Sequence, residues 1–250
     1  MHGCLPCIAS SVVYFFPWRW RTLPHQAWRD ALTRARAGEL AFLDHPWPGT
    51  SDRPRGRILK LLCADEARLA AWATAHGVPA EALDHRGGIP HVDFLGARRD
   101  ALIAQGWPIA RVRSAETRDL RAIEEIARRT WAATYVGLIP DDDQRAFLDQ
   151  AYNPETLARR LARAERLLIA EDPEGGLLAF AEFRRARLSA LYVLPDVQGR
   201  GIGDLLLKRG PQGEMRVGVH PGNAHAIRFY ERHGFRPAGT ADGELQMMRA

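Results

Sequence analysis

The stretch LSALYVLPDVQGRGIGDLLL, residues 188–207, decides how this sequence is interpreted. An apolar run leads into a turn with Gly199, Gly201 and Gly203, and a second apolar run follows, so the pattern predicts a strand, a tight turn and a helix. The first N–H groups of a helix lack partners within it and lie at the positive end of the helix dipole. Because glycine lets a ligand approach the backbone closely, the turn predicts a site for an anion such as pyrophosphate, with Arg200 adding a guanidinium.

Two other phosphate-binding turns do not fit this stretch. Its glycines lack the G-x-G-x-x-G spacing of a dinucleotide-binding fold, and it has no Gly-Lys-Ser/Thr ending of a P-loop. A plain strand-to-helix connection stays open as the alternative for the glycines taken alone.

A second segment, VGVHPGNAHAIRFYERHGF at residues 217–235, also predicts a strand followed by a helix. Asn223 stands where a helix cap belongs, and Gly234 stands where the helix should end. Phe235 then returns the chain to a strand.

Together the two segments resemble the GNAT superfamily of acyl-CoA-dependent N-acetyltransferases. The pyrophosphate motif of that family, Gln/Arg-x-x-Gly-x-Gly/Ala, is matched by residues 198–203. Its later pattern, Asn-x-x-Ala-x-x-Phe-Tyr-x-x-x-Gly-Phe, is matched by Asn223, Ala226, Phe229, Tyr230, Gly234 and Phe235. The resemblance covers about residues 110–250, including a segment from Trp131 to Pro140. It implies an α+β fold with a mixed, mostly antiparallel sheet, a splayed central strand and flanking helices.

The resemblance also implies acetyl-CoA as co-substrate, with no metal. The residues expected to contact its pyrophosphate are Gln198, Gly199, Arg200, Gly201, Ile202 and Gly203. The backbone of Leu191, Tyr192 and Val193 would pair with the pantetheine arm, the amide of Val193 would polarise the thioester carbonyl, and Asn223 would hydrogen-bond the arm.

For catalysis, the resemblance makes Tyr230 the acid that protonates the departing CoA thiolate. A core aromatic role is its alternative. The glutamate base of some family members would fall near Arg187, so that carboxylate is absent here. Glu182 on the preceding strand is the nearest substitute, with a solvent-facing strand residue and an ordered-water route as alternatives.

Two further features bear on the site. Residues 208–213 replace about two helical turns expected of the family, which predicts a shortened helix with weaker packing beneath it. The triplet Asp141 to Asp143 would begin a helix favourably, or form an acidic lip that gathers a cationic amine.

These inferences predict transfer of an acetyl or short acyl group from acyl-CoA to a primary amine, by direct attack in a ternary complex. A non-catalytic acyl-CoA sensor acting on the first domain or a partner is the alternative. The acceptor is left open between a small molecule and a macromolecular amine such as a protein N-terminus or aminoacyl-tRNA, and a homodimer is left open too.

The first half predicts a separate small α/β domain over residues 38–108, after a lead-in at 1–37 and before the GNAT-like region at 109–250. It resembles a short bacterial family of unknown function through Asp44, Pro46, Trp47 and Pro48 and the later pair His91 and Asp93. With His45, these histidines and aspartates could converge on a metal or phosphate, or serve as strand-end hydrogen-bonding groups. The prolines exclude a central strand there, and Trp107-Pro108 is expected to be a linker.

The overall composition restricts the classes of protein to which the chain can belong. At 250 residues with 46% apolar and 26% charged residues, the chain is neither disordered nor a membrane bundle. Its net charge of +5 comes almost wholly from arginine and does not imply a nucleic-acid partner. The apolar opening at 8–16 is too short to span a membrane, and three cysteines (Cys4, Cys7 and Cys63) fit a reducing cytoplasm rather than a disulfide framework.

Overall fold

The computed structural model of the chain describes residues 25–47, 56–86 and 88–250. Cys4, Cys7 and most of the expected lead-in therefore lie outside the described residues. Within the described part the chain forms two sheets, one of four strands and one of seven.

The first sheet is antiparallel and has the strand order β1-β2-β4-β3. Its strands are β1 (Ala41–Trp47), β2 (Gly56–Leu62), β3 (Leu83–Asp84) and β4 (His91–Phe94), and its helices are α1 (His25–Arg36), α2 (Glu66–Ala75) and α3 (Gly96–Gln105). Strand β1 runs through Pro46 but lies at the sheet edge, where a missing N–H breaks no ladder, so the exclusion of a central strand is confirmed. Asp65 caps the start of helix α2, because its carboxylate accepts a 3.0 Å hydrogen bond from the Arg68 N–H.

Trp107 belongs to the core of this first sheet. It is 5% exposed and stacks on Phe42 with 4.4 Å between ring centroids. Trp107-Pro108 lies between α3 of the first sheet and β5 of the second, where a linker was expected, and the Trp107 side chain is packed into the first core.

The second sheet has the strand order β10-β11-β9-β8-β7-β6-β5. Its strands are β5 (Arg111–Ser114), β6 (Arg166–Glu171), β7 (Leu177–Arg184), β8 (Arg187–Val193), β9 (Met215–Val219), β10 (Arg236–Ala241) and β11 (Glu244–Arg249). Its helices are α4 (Leu120–Thr134), α5 (Asp141–Ala151), α6 (Pro154–Arg163), α7 (Ile202–Arg209) and α8 (Ala224–Arg232). Of the adjacent strand pairs in this second sheet, only β8 and β9 run parallel. The mixed, mostly antiparallel α+β fold class is confirmed.

Helices cover both faces of the second sheet. Helices α7 and α8 pack on one face through a core that includes Ile202, Leu206 and Tyr230. Helices α4 to α6 pack on the other face, and we call this side the acceptor face.

Strands β8 and β9 separate soon after they begin. Their register contains the single pair Arg187↔Arg216, at the start of β8. The two strands therefore diverge towards Val193, which opens a gap in the middle of the sheet.

Helix α7 is short, as expected, and ends at Arg209. It nevertheless stays well packed: Leu206 and Leu207 are buried, and Gly210 lies so close to the Phe183 ring that a Cβ would clash there. The weaker packing expected from the missing turns is not seen.

Helix length and polarity bear on membranes. Across 25–47, 56–86 and 88–250, no helix combines the length and apolar character needed to cross a bilayer.

Candidate active site

The glycine turn before α7 has a backbone geometry that suits an anion site. Gly199 and Gly201 have φ values of +76° and +82°, which L side chains rarely adopt, and Gly201 is the N-terminal cap of α7. Within the described residues, the N–H groups from Gly199 to Gly203 donate to no other residue. These donors and the positive end of the helix dipole face the same point, so a pyrophosphate fits here.

Gly203 serves packing as well. A Cβ at this position would lie 3.2 Å from the Phe229 ring and 3.9 Å from the Val193 side chain. The third glycine therefore lets α7, α8 and the end of β8 approach one another closely, while His233 ties α8 to Asp204 of α7 over 3.1 Å.

The exposed edge of β8 offers free backbone groups to the gap. The Leu194 N–H donates to the Leu178 carbonyl of the preceding strand, and residues of an antiparallel ladder alternate in direction. The N–H groups of Leu191 and Val193 therefore point away from β7, towards the gap. Tyr192 points its own N–H towards β7, so it is less suited than its neighbours to the backbone role expected of it.

The Val193 carbonyl is fixed by two donors. The Gln198 amide donates to it at 3.0 Å and the Thr130 hydroxyl at 3.3 Å. Gln198 therefore acts on the β8 terminus, which holds the Val193 N–H in place beside the glycine turn.

Tyr230 lies in the core beneath the gap, on α8. It is 7% exposed, and within the described residues its hydroxyl hydrogen-bonds no other group. Burial raises the pKa of Tyr230, and the Tyr192 and Tyr135 hydroxyls raise it further. These two tyrosines belong to the acceptor face, so the Tyr230 hydroxyl lies near the opening between the two faces and stays protonated at ordinary pH.

The far rim of the gap is built from the loop after α4 and the loop before α8. The Asn223 side chain caps α8, accepting from the Ala226 N–H at 3.0 Å, and also hydrogen-bonds Tyr135. The Tyr135 ring lies 5.8 Å from the His220 ring. Burial raises the pKa of Tyr135 to about 12, with Tyr192 and Glu244 adding to the rise.

The acceptor side is lined with aromatic rings. Trp131 stacks on Phe147 at 4.4 Å, and Phe147 is 43% exposed. Trp131 is 9% exposed, and Tyr135 packs against it with 4.5 Å between the ring centroids. The aspartate triplet forms the first turn of α5, and its three side chains are exposed.

A buried polar chain that the sequence did not reveal runs below this wall. The Trp131 indole N–H donates to the Tyr192 hydroxyl at 3.0 Å, and Tyr192 hydrogen-bonds Tyr152. Tyr152 in turn hydrogen-bonds Arg160. These residues come from three helices and a strand, so only the folded chain brings them together.

Glu182 ends this chain and is held away from the gap. Its carboxylate is buried and bound by Arg160, with one contact of 2.8 Å to the Arg160 Nε and a second to Nη2. The half-buried Arg160 guanidinium holds both contacts on one carboxylate oxygen, so the carboxylate is directed at α6 and not at the gap. The geometry therefore disfavours Glu182 as the base.

Two of the four histidines and aspartates expected to converge, His91 and Asp93, lie close together in the first sheet, with Asp84 beside them. Asp84, His91 and Asp93 have ligand atoms within 4.8 Å of one another. Both carboxylates already have protein cations, because Lys60 binds Asp93 at 2.6 Å and Arg86 binds Asp84.

Asp44 does not join that cluster. It lies on β1 and is bound by Arg57 and Arg99 instead. His45 is buried on the same strand, and burial lowers its pKa. The expected convergence of two separated pairs is therefore partial.

Comparison with known proteins identifies the larger sheet. Residues 163–237 match the family model described as an acetyltransferase (GNAT) domain. The chain carries a GNAT domain. The match includes β8, the glycine turn, α7 and α8, the elements that surround the gap.

Relatives that are named for an acetyltransferase activity match a longer part of the chain than the family model does. A spermidine N(1)-acetyltransferase of Thermoplasma acidophilum is 26% identical over 151 residues, which are 54% of this chain and 94% of that protein. A peptidyl-lysine N-acetyltransferase of Escherichia coli, YjaB, is 27% identical over 105 residues, 40% of this chain and 71% of its own.

A solved structure agrees with them. The crystal structure of a PaiA N-acetyltransferase from Thermoplasma acidophilum in complex with coenzyme A superposes with a TM-score of 0.51 and 25% identity, over 55% of this chain and 96% of that chain. The protein is an acyl-CoA-dependent N-acetyltransferase, with acetyl-CoA as its co-substrate.

Proposed function

We propose that the GNAT domain transfers an acetyl group directly from acetyl-CoA to a primary amine while both are bound. The observation that carries this is the gap itself. Free N–H groups of Leu191 and Val193 line one side of it, and the protonated Tyr230 hydroxyl lies below. Neither a cysteine nor a serine is needed to hold the acetyl group on the way.

The roles follow from these positions. The glycine turn and Arg200 bind the pyrophosphate, which directs the pantetheine arm along β8 with Asn223 beside it. The Val193 N–H donates to the thioester oxygen, whose negative charge grows as the amine attacks. The amine nitrogen bonds to the acetyl carbon, the C–S bond breaks, and Tyr230 gives its proton to the leaving thiolate. The nitrogen loses a proton as the amide forms, and this proton returns through water to Tyr230.

For the acceptor we propose an amine that is cationic when free. The relatives are named for spermidine and for peptidyl-lysine, both of which carry primary ammonium groups at neutral pH. An aromatic wall of Trp131, Tyr135 and Phe147 suits the aliphatic stem and positive end of such a group.

The experiment is a panel of polyamines, lysine peptides and peptides with free N-termini, each incubated with acetyl-CoA and the full chain. We expect an acetyl amide on at least one class, detected by mass spectrometry, with one CoA released per amide. CoA release at the hydrolysis rate without any amide product would contradict the proposal.

We further propose that residues 38–108 form a unit of their own, with the GNAT unit at 109–250. Separate buried cores support this division: Trp107 packs with Phe42 in the first, and Ala110 belongs to the second. Trp107→Ala should destabilise the first core by about 3 kcal/mol and leave acetyl-CoA affinity within about twofold. A variant that lost acetyl-CoA affinity in calorimetry as strongly as it lost stability in thermal unfolding would contradict the division.

A further inference from the structure

The proposed reaction needs a group that takes a proton from the acceptor. An ammonium group has no lone pair, so it cannot attack the thioester until it loses a proton. Several carboxylates near the sheet are already committed to arginines: Glu182 to Arg160, Asp196 to Arg129, and Glu171 to Arg111 and Arg113. Glu244, the first residue of β11, is held differently.

The alternation of side chains along β9 and β11 determines which face of the sheet the Glu244 side chain lies on. Val217 and Val219 of β9 and Met247 of β11 are buried in the core beneath α7 and α8. Gly218 and Glu244 alternate with them and therefore face the acceptor side. Strand β9 is the strand that borders the gap.

The Glu244 carboxylate lies over Gly218. A Cβ at position 218 would clash with Glu244 Oε2 and would approach the Gln246 amide nitrogen at 3.3 Å. The absent side chain of Gly218 thus makes the space in which the carboxylate rests. This places an anionic group on the wall of the gap opposite β8.

The partner of Glu244 is loosely held. Arg187 Nη2 is 3.8 Å from Glu244 Oε2, beyond hydrogen-bond range, and the two side chains are 52% and 44% exposed. An exposed pair at this separation contributes little stability, so an incoming ammonium can replace the arginine. Arg187 lies near the position at which some family members have their glutamate base. In this chain Glu244 supplies a carboxylate from two strands away.

We propose that Glu244 binds the acceptor's ammonium group and takes its proton, directly or through one water. The inference rests on the proposed function. The N–H bond of the ammonium breaks and its proton passes to the Glu244 carboxylate. The freed nitrogen lone pair then forms the bond to the acetyl carbon, and the C–S electrons leave on the thiolate that Tyr230 protonates. The nitrogen loses its second proton as the amide forms, and that proton passes through water to the Tyr230 phenolate.

Other ionisable groups face the Glu244 carboxylate from the neighbouring elements. Arg187 approaches from β8, and Tyr135 approaches from the end of α4, where it senses the Glu244 charge. Arg216 lies on the same face of β9 but is paired with Glu214 at 3.1 Å. His220 follows β9 beside Tyr135.

The test is Glu244→Gln, which keeps the shape and removes the charge. With the amine that the wild type acetylates best, kcat/KM for the amine should fall by about 10²–10⁴ at neutral pH. The deficit should shrink as pH rises towards the pKa of the free amine, because the acceptor then arrives deprotonated. Acetyl-CoA affinity, measured by calorimetry, should match that of the wild type.

Two further variants separate a proton-accepting role from a structural one. Glu214→Gln removes a nearby exposed carboxylate paired with Arg216 and should leave all rates unchanged. Gly218→Ala keeps Glu244 but displaces its carboxylate, so it should lower kcat/KM for the amine without altering acetyl-CoA binding.

The outcomes distinguish the two levels of proposal. An active wild type with an equally active Glu244→Gln variant across the pH range overturns the assignment of Glu244 alone. A Glu244→Gln deficit that is the same at every pH also overturns it. A wild type that binds acetyl-CoA yet acetylates no amine overturns the proposed function, and the assignment with it.

Discussion

At the scale of single residues, the surroundings of Tyr230 suit a group that must hold its proton until late in the reaction. Burial disfavours the phenolate, and the hydroxyls of Tyr192 and Tyr135 disfavour it further. The raised pKa means that the Tyr230 hydroxyl is protonated at neutral pH.

Tyr230→Phe removes only that hydroxyl and should preserve the packing of α8 against the sheet. Turnover should fall by about 10²–10⁴ while acetyl-CoA affinity is retained, measured by steady-state rates and calorimetry. Tyr152→Phe is the matched control, because its hydroxyl lies in the buried chain below the acceptor wall and not at the gap. Full activity in Tyr230→Phe would show that water supplies the proton.

Some site residues could be predicted from the sequence, whereas the catalytic base could not. Local spacing in the sequence predicted the glycine turn and the α8 cap, and the resemblance to the GNAT pattern over residues 223–235 added Tyr230. The base could not be predicted in this way. Glu182 was chosen because it is near in sequence, but its partner Arg160 comes from a helix and becomes visible only in the fold.

At the scale of elements, the pyrophosphate site that we propose is the N-terminus of α7. Its free N–H groups depend on Gly201 holding a left-handed conformation, which only glycine, asparagine and aspartate adopt readily. Element boundaries followed from the same local chemistry: α2 begins at its Asp65 cap, and α5 begins with its acidic triplet. The pairing of β8 with β9 and the register of β11 depend on contacts distant in sequence, so no local pattern predicted them.

Gly201→Asn and Gly201→Asp form a matched pair for this helix end. The two side chains have the same size and a similar tolerance of positive φ, so backbone strain is equal and charge alone differs. We expect acetyl-CoA to bind Gly201→Asp at least about tenfold more weakly than Gly201→Asn, a difference of about 1.4 kcal/mol. Equal affinities in calorimetry would place the pyrophosphate elsewhere.

At the scale of the whole molecule, the chain joins a GNAT sheet to a smaller antiparallel sheet with its own core. The two meet where Gly106 approaches the Leu205 side chain of α7, so the first unit abuts the helix that holds the cofactor turn. The polar cluster around His91 lies in the smaller sheet, and its carboxylates are neutralised by Lys60 and Arg86. The acetyl transfer proposed here needs only the larger sheet.

The central claim is that the acetyl group passes straight from acetyl-CoA to the amine at the gap between β8 and β9. The most direct measurement is a grid of initial rates in which acetyl-CoA and the preferred amine are both varied. Direct transfer in a ternary complex predicts double-reciprocal lines that intersect, because both substrates must be bound before CoA departs. Parallel lines, accompanied by acetylated enzyme in the absence of the amine, would contradict it.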